Sequence, residues 1–212
     1  MSRATPPAFS GPAPQLRELT LDDLPLMQAV FASTRAEEMA LTGWPPELKQ
    51  GFLQMQFEAQ AADYERRFPA SRCQVIEWQG QAVGRLWIAR VEQRLHLLDI
   101  SLLPEAREQG LGTRLLQDLQ QQARALGLPL SLQVLLGNPA RRLYARLGFV
   151  PDGAPTAYQA MIWRAGSAGQ VEGPDAMVGL TSGLTTGTTT SATTLGPANP
   201  VFTGSTAVPP TP

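Results

Sequence analysis

Arg107-Glu108-Gln109-Gly110-Leu111-Gly112 lies where one sequence pattern gives way to another. Before it runs Leu95 to Leu103, apolar and β-rich. After it, Leu111, Leu115, Leu116, Leu119, Ala123 and Leu126 recur at helical spacing until Gly127. A glycine loop that leaves a strand and opens a helix turns several backbone N–H groups in one direction. The helix dipole adds partial positive charge there, which favours an anion. Gly110 and Gly112 carry no side chain to hold a phosphate off, and Arg107 offers a fork of donors. A plain β–α turn, whose glycines only allow close packing, accounts for these residues equally well. A second feature has to decide.

Outward from the loop the pattern extends in both directions. Gln15 to Leu19 reads as a short strand, and Thr20-Leu21-Asp22-Asp23 has the form of a capping box. Leu24, Met27, Val30 and Phe31 predict a helix running to about Leu41, stopped by Gly43-Trp44-Pro45-Pro46. A second helix carries Leu48, Phe52, Met55, Phe57, Ala59 and Tyr64 and ends near Phe68-Pro69. Cys73 to Trp78, Gln81 to Val91 and Leu95 to Leu103 are spaced as an antiparallel meander of three strands. Beyond the central helix, Leu130 to Leu135 is a strand and Asn138 to Leu147 a short helix. Phe149-Val150 and Thr156 to Trp163 close the pattern as strands. The order β-α-α-β-β-β-α-β-α-β-β predicts an α/β (α+β) protein with a mixed sheet and helices on its faces.

Composition sets the outer bounds. Of 212 residues, 43% are hydrophobic, and Lys+Arg 17 against Asp+Glu 18 leaves a net charge of −1. Such a balance offers a polyanion no long-range field, so nucleic acid is not expected as a partner. Cys73 is the single cysteine, which excludes an internal disulfide and fits a reducing cytoplasm; with only one histidine beside it, a metal site is not expected either. No apolar run is long enough for a membrane span. The predicted domain covers 15–164. Residues 1–14 read as a flexible arm, and 165–212, rich in Gly, Thr and Pro, as a disordered tail. The tail would serve as a tether, or dock a partner through Val178, Leu180, Leu184 and Phe202.

The deciding feature is the run Asn138-Pro139-Ala140-Arg141-Arg142-Leu143-Tyr144-Ala145-Arg146-Leu147-Gly148-Phe149. Together with Ile100-x-Leu102-x-x-x-x-Arg107-x-x-Gly110-x-Gly112 it resembles the GNAT superfamily of N-acetyltransferases. The resemblance spans most of 15–164. It implies a GNAT-type fold and acetyl-CoA as cosubstrate, in a family that often dimerises. It further implies that Leu102 and Leu103 pair with the pantetheine arm, and that Arg107, Glu108, Gln109, Gly110, Leu111, Gly112 and Thr113 hold the pyrophosphate. Asn138 would bond the pantetheine amide or the region near the sulfur, and Tyr144 would aim its hydroxyl at the thioester sulfur. One departure stands out: Glu108 occupies a position where the family commonly has glycine or another small or polar residue.

A lysine-like amine, with a pKa of about 10.4, must lose a proton before it attacks. Asp99, alternating with Ser101 on the strand that feeds the loop, is the leading base; Glu92, His96, Glu37 and Glu38 are weaker candidates. On the two-helix insertion, Arg35, Glu37, Glu38, Trp44 and Tyr64 are candidates for the acceptor side, where a small-molecule or peptide amine would bind. Cys73 reads as core. The competing reading is a non-catalytic CoA-binding module that docks a partner through its tail. The presence of Asn138 and Tyr144 favours the enzyme.

Overall fold

The computed structural model describes residues 12–166. The predicted N-terminal arm and C-terminal tail lie almost wholly outside the described residues. Strand β1 (Gln15–Glu18) leads into a 3-10 turn at Leu21–Asp23, where the Asp23 carboxylate accepts from both the Thr20 amide and the Thr20 hydroxyl. Helices α1 (Leu24–Thr34), α2 (Ala36–Leu41) and α3 (Pro46–Arg67) follow. The meander is β2 (Arg72–Trp78), β3 (Gln81–Val91) and β4 (Arg94–Leu102). Then come α4 (Leu111–Ala125), β5 (Leu130–Leu135), α5 (Ala140–Arg146), β6 (Val150–Pro151) and β7 (Tyr158–Trp163).

The predicted first helix is therefore two helices. Ser33 and Thr34 turn their hydroxyls back onto the carbonyls of Val30 and Phe31. Such side-chain bonds compete with the helical ladder, and the backbone leaves the helix at Arg35 (φ −111°, ψ 4°). The predicted face of α3 also needs correction. Leu48 and Met55 are more than half exposed, and the buried stripe is Phe57, Gln60 and Tyr64.

Seven strands form one sheet in the order β1-β2-β3-β4-β5-β7-β6, antiparallel except for the β4–β5 pair. Helix α4 packs Leu111, Leu115, Leu116, Leu119 and Ala123 against one face, in the core that holds Leu95, Leu97, Leu130 and Leu132. Full burial of each such leucine contributes roughly 1.5–3 kcal/mol. The other face is covered by α1 and α3, through Met27, Phe31, Phe57 and Val75 and through Tyr64, Phe68, Trp87 and Leu98.

A bulge decides which way the end of β4 points. Trp87 pairs with Asp99 but Ile88 pairs with Leu97, so Leu98 is an extra residue. Side chains alternate strictly along a strand, and one extra residue exchanges the faces beyond it. Leu95 and Leu97 face α4, and past the bulge so do Ile100 and Leu102. Asp99 and Ser101 are thereby turned to the α1/α3 side. A second irregularity, between Ile76 and Glu77, lies near Gly84, which pairs with Leu102. A Cβ at Gly84 would collide with the Ser101 carbonyl oxygen and come within 2.9 Å of a Leu102 methyl. Only glycine lets β3 and the end of β4 approach this closely.

Candidate active site

Strands β4 and β5 pair through Leu95, His96 and Leu97 against Leu130, Ser131 and Leu132, and the pairing goes no further. Where they part, a cleft of about 720 Å³ opens, lined by residues 97–102 of β4 and 132–135 of β5. Its rim is completed by the start of α4 at Gly112, by Asn138 and Tyr144 beside and on α5, and by the α1–α2 corner. The volume is that of a ligand site.

At one end is the glycine loop. Gly110 (φ 80°) is the N-cap of α4, and Glu108 (φ 60°) is also left-handed. For a residue with a Cβ that conformation is strained, and glycine would adopt it freely. The Glu108 side chain is exposed. The first amide of the segment to find a backbone acceptor is that of Arg114, on the Gly110 carbonyl. Every backbone N–H from Glu108 to Thr113 is without a protein acceptor among the described residues. Such a run at the start of a helix is an anion cradle.

Two of the three Arg107 guanidinium nitrogens have protein partners. Nε donates to the Leu102 carbonyl at 2.9 Å and Nη2 to the Ser33 hydroxyl oxygen at 2.8 Å. The Leu103 amide, expected to face a ligand, donates to the Val83 carbonyl. The Asn138 side-chain oxygen accepts from the Ala140 amide at 2.9 Å, just ahead of α5, leaving the NH2 end for a ligand. Tyr144 is 8% exposed and packs edge-on against Phe149. Its hydroxyl has no hydrogen-bond partner among the described residues. Burial first, and then the Asp99 carboxylate, raise its pKa above the ordinary phenol value, so it is a protonated donor at neutral pH.

Asp99 is built into a network that the sequence reading missed. Arg85 Nε donates to Asp99 Oδ2 at 2.6 Å, and the Ser101 hydroxyl donates to Oδ1 at 2.8 Å. Arg85 Nη2 donates to Gln60 Oε1 at 2.7 Å, and the guanidinium lies 5.8 Å from the Phe31 ring centre and 5.9 Å from that of Phe57. Arg85 and Gln60 are buried yet both line the cleft. One signal pointed to Arg85: a charged residue inside the apolar run Val83-Gly84-Arg85-Leu86-Trp87-Ile88 must find a partner.

On the acceptor side, Arg35, Glu37 and Glu38 line the cleft, with Arg35 loosely paired to Glu38 at 3.4 Å. Trp44 does not line it; its ring packs edge-on against Phe52. Tyr64 is fully buried and donates to the Leu98 carbonyl at the bulge. His96 lies outside the cleft lining, with Nδ1 2.9 Å from the Ser131 hydroxyl, and burial pushes its pKa down to about 4. Glu92 occupies the β3–β4 turn and does not line the cleft either. Burial pushes the Cys73 thiol up to about 11, which leaves it protonated and unreactive. Among the described residues no group of three His, Cys, Asp or Glu is placed to hold a metal ion, and no helix is long and apolar enough to cross a membrane.

Comparison with known proteins agrees with this geometry. The family described as acetyltransferase (GNAT) family matches residues 36–149. Among solved structures, the chain is similar to PaiA N-acetyltransferase from Thermoplasma acidophilum in complex with coenzyme A. There the identity is 15% and the TM-score 0.55, over 72% of this chain and 99% of the other. It is also similar to a spermidine N-acetyltransferase chimera of Vibrio cholerae SpeG and hSSAT (21% identity, TM-score 0.51, 72% and 96% covered). The ribosomal-protein-S18-alanine N-acetyltransferase from Escherichia coli gives 21% identity, TM-score 0.50, and 74% and 97% coverage. These likenesses establish the fold. No curated protein sequence matches the chain.

Proposed function

Because the chain belongs to the GNAT acetyltransferase family, we propose that it moves an acetyl group from acetyl-CoA directly to a primary amine of a small molecule or peptide. The observation that carries this reading is the run of unpartnered amides from Glu108 to Thr113, opening onto a cleft that also receives Tyr144 and Asp99. Acetyl-CoA supplies the acetyl group already activated as a thioester. The amides and the dipole of α4 suit its pyrophosphate, and Asn138 offers its NH2 to the pantetheine arm.

Tyr144, kept protonated by burial, is suited to donate a hydrogen bond to the leaving sulfur. Asp99, held by Arg85 and Ser101, faces the acceptor side and can accept a hydrogen bond from the incoming amine. Glu37 and Glu38 place carboxylates at the mouth, where a cationic amine is favoured. Most of the acceleration then comes from orienting two bound reactants.

Calorimetry with acetyl-CoA, followed by thiol release across a panel of polyamines, amino acids and short peptides, tests the reading. Binding and thiol release that depend on an amine are expected. Absence of binding refutes the proposal. Binding with no turnover on any amine supports the CoA-binding module instead.

A further inference from the structure

The guanidinium of Arg107 joins two parts of the site that are far apart in sequence. It grips the last residue of β4 through the Leu102 carbonyl, and the end of α1 through both the Ser33 hydroxyl oxygen at 2.8 Å and the Ser33 carbonyl at 3.4 Å. The Ser33 hydroxyl spends its own proton on the Val30 carbonyl at 2.8 Å, so its lone pairs are turned toward Arg107. Helix α1 has no basic residue in its last turn. Arg107 brings from another element the cation that the negative end of that helix favours. Immediately beyond Ser33 the chain breaks at Arg35 and starts α2, which carries Glu37 and Glu38 into the cleft.

We infer that Arg107 is a positioning residue that latches the acceptor wall to the cofactor loop. An arginine at a phosphate loop is usually read as a phosphate ligand. Here Nε turns back onto the Leu102 carbonyl and Nη2 crosses to Ser33, while the amides from Glu108 to Thr113 stand free beside them. The latch sets how α2, and with it Arg35, Glu37 and Glu38, stands against Asp99. Its catalytic consequence rests on the acetyltransferase reading; its mechanical consequence does not.

Ser33→Ala removes the shorter wall-side bond, leaving only the 3.4 Å contact to the Ser33 carbonyl, without touching the loop, and Arg107→Gln removes the guanidinium itself. In the full chain, both are expected to raise amide hydrogen exchange several-fold across residues 34–41 and to leave the CoA dissociation constant, by calorimetry, within about twofold of the parent. With the best acceptor amine, both are expected to raise the acceptor KM several-fold, and the double variant to be no worse than the worse single one. Unchanged exchange across 34–41 in both variants overturns the latch, whatever the activity. A tenfold or greater loss of CoA affinity in Arg107→Gln, with Ser33→Ala like the parent, overturns it in favour of a phosphate ligand. Failure of the parent chain to bind CoA counts against the acetyltransferase reading and leaves the exchange experiment to judge the latch.

Discussion

The pair Arg85–Asp99 sits where fold and chemistry meet, and its energetics can be worked from the structure. The Arg85 side chain is 2% exposed and the Asp99 side chain 13%, with 2.6 Å between Nε and Oδ2. Removing one partner of a buried ion pair strands the other and costs about 3–5 kcal/mol. Asp99→Asn strands a guanidinium between Phe31 and Phe57 and should fall at the upper end of that range. Arg85→Met strands a carboxylate that water in the cleft can reach, and should fall at the lower end. Replacing both leaves no uncompensated charge, so the double variant should be more stable than the two single losses summed, by about 2 kcal/mol or more. Urea denaturation monitored by circular dichroism measures all four proteins, provided the slopes agree. Additivity within about 0.5 kcal/mol would mean that the two charges are not coupled and that Arg85 does not hold Asp99 in place.

Tyr144→Phe is expected to lower kcat on the order of 10²-fold, with the KM for acetyl-CoA changed far less, as for loss of a hydrogen-bond donor acting in the transition state. An unchanged kcat removes Tyr144 from the mechanism. Gly84→Ala forces a methyl onto the Ser101 carbonyl and should cost about 1–3 kcal/mol, read as a lower melting temperature. Wild-type melting would show that β3 and β4 are less tightly apposed. His96 is held neutral, its pKa pushed down to about 4 chiefly by burial, so protonation favours the unfolded chain. Its contribution is full above the unfolded value of about 6.5 and is lost as pH falls toward 4, on the order of 3 kcal/mol in all. His96→Leu should flatten the acid side of a melting-temperature profile, and an unaltered profile counts against this assignment.

Local patterns in the sequence carried a large share of the result. The strand, glycine loop and helix around Gly110 were legible because each depends on neighbours in the chain: alternation, a left-handed turn, and a stripe at helical spacing. The same holds for Asn138, just ahead of α5, and Tyr144, on it, which lie close together in the chain. The two-helix region was less legible. Ser33 and Thr34 break α1 by bonding back to its carbonyls, a choice open to these side chains but not compelled by them.

What the sequence alone determined, then, is the order of the strands and the two motifs that meet at the cleft. Tertiary structure decided which side chains meet there. A single extra residue at Leu98 turns Asp99 and Ser101 toward α1 and α3, where Arg85 and Gln60 wait. Arg107, a phosphate ligand by its motif, reaches instead to Ser33, which is distant in the chain and adjacent in space. A one-residue bulge costs a strand little and leaves no mark in its composition, yet it exchanges the two faces of everything that follows.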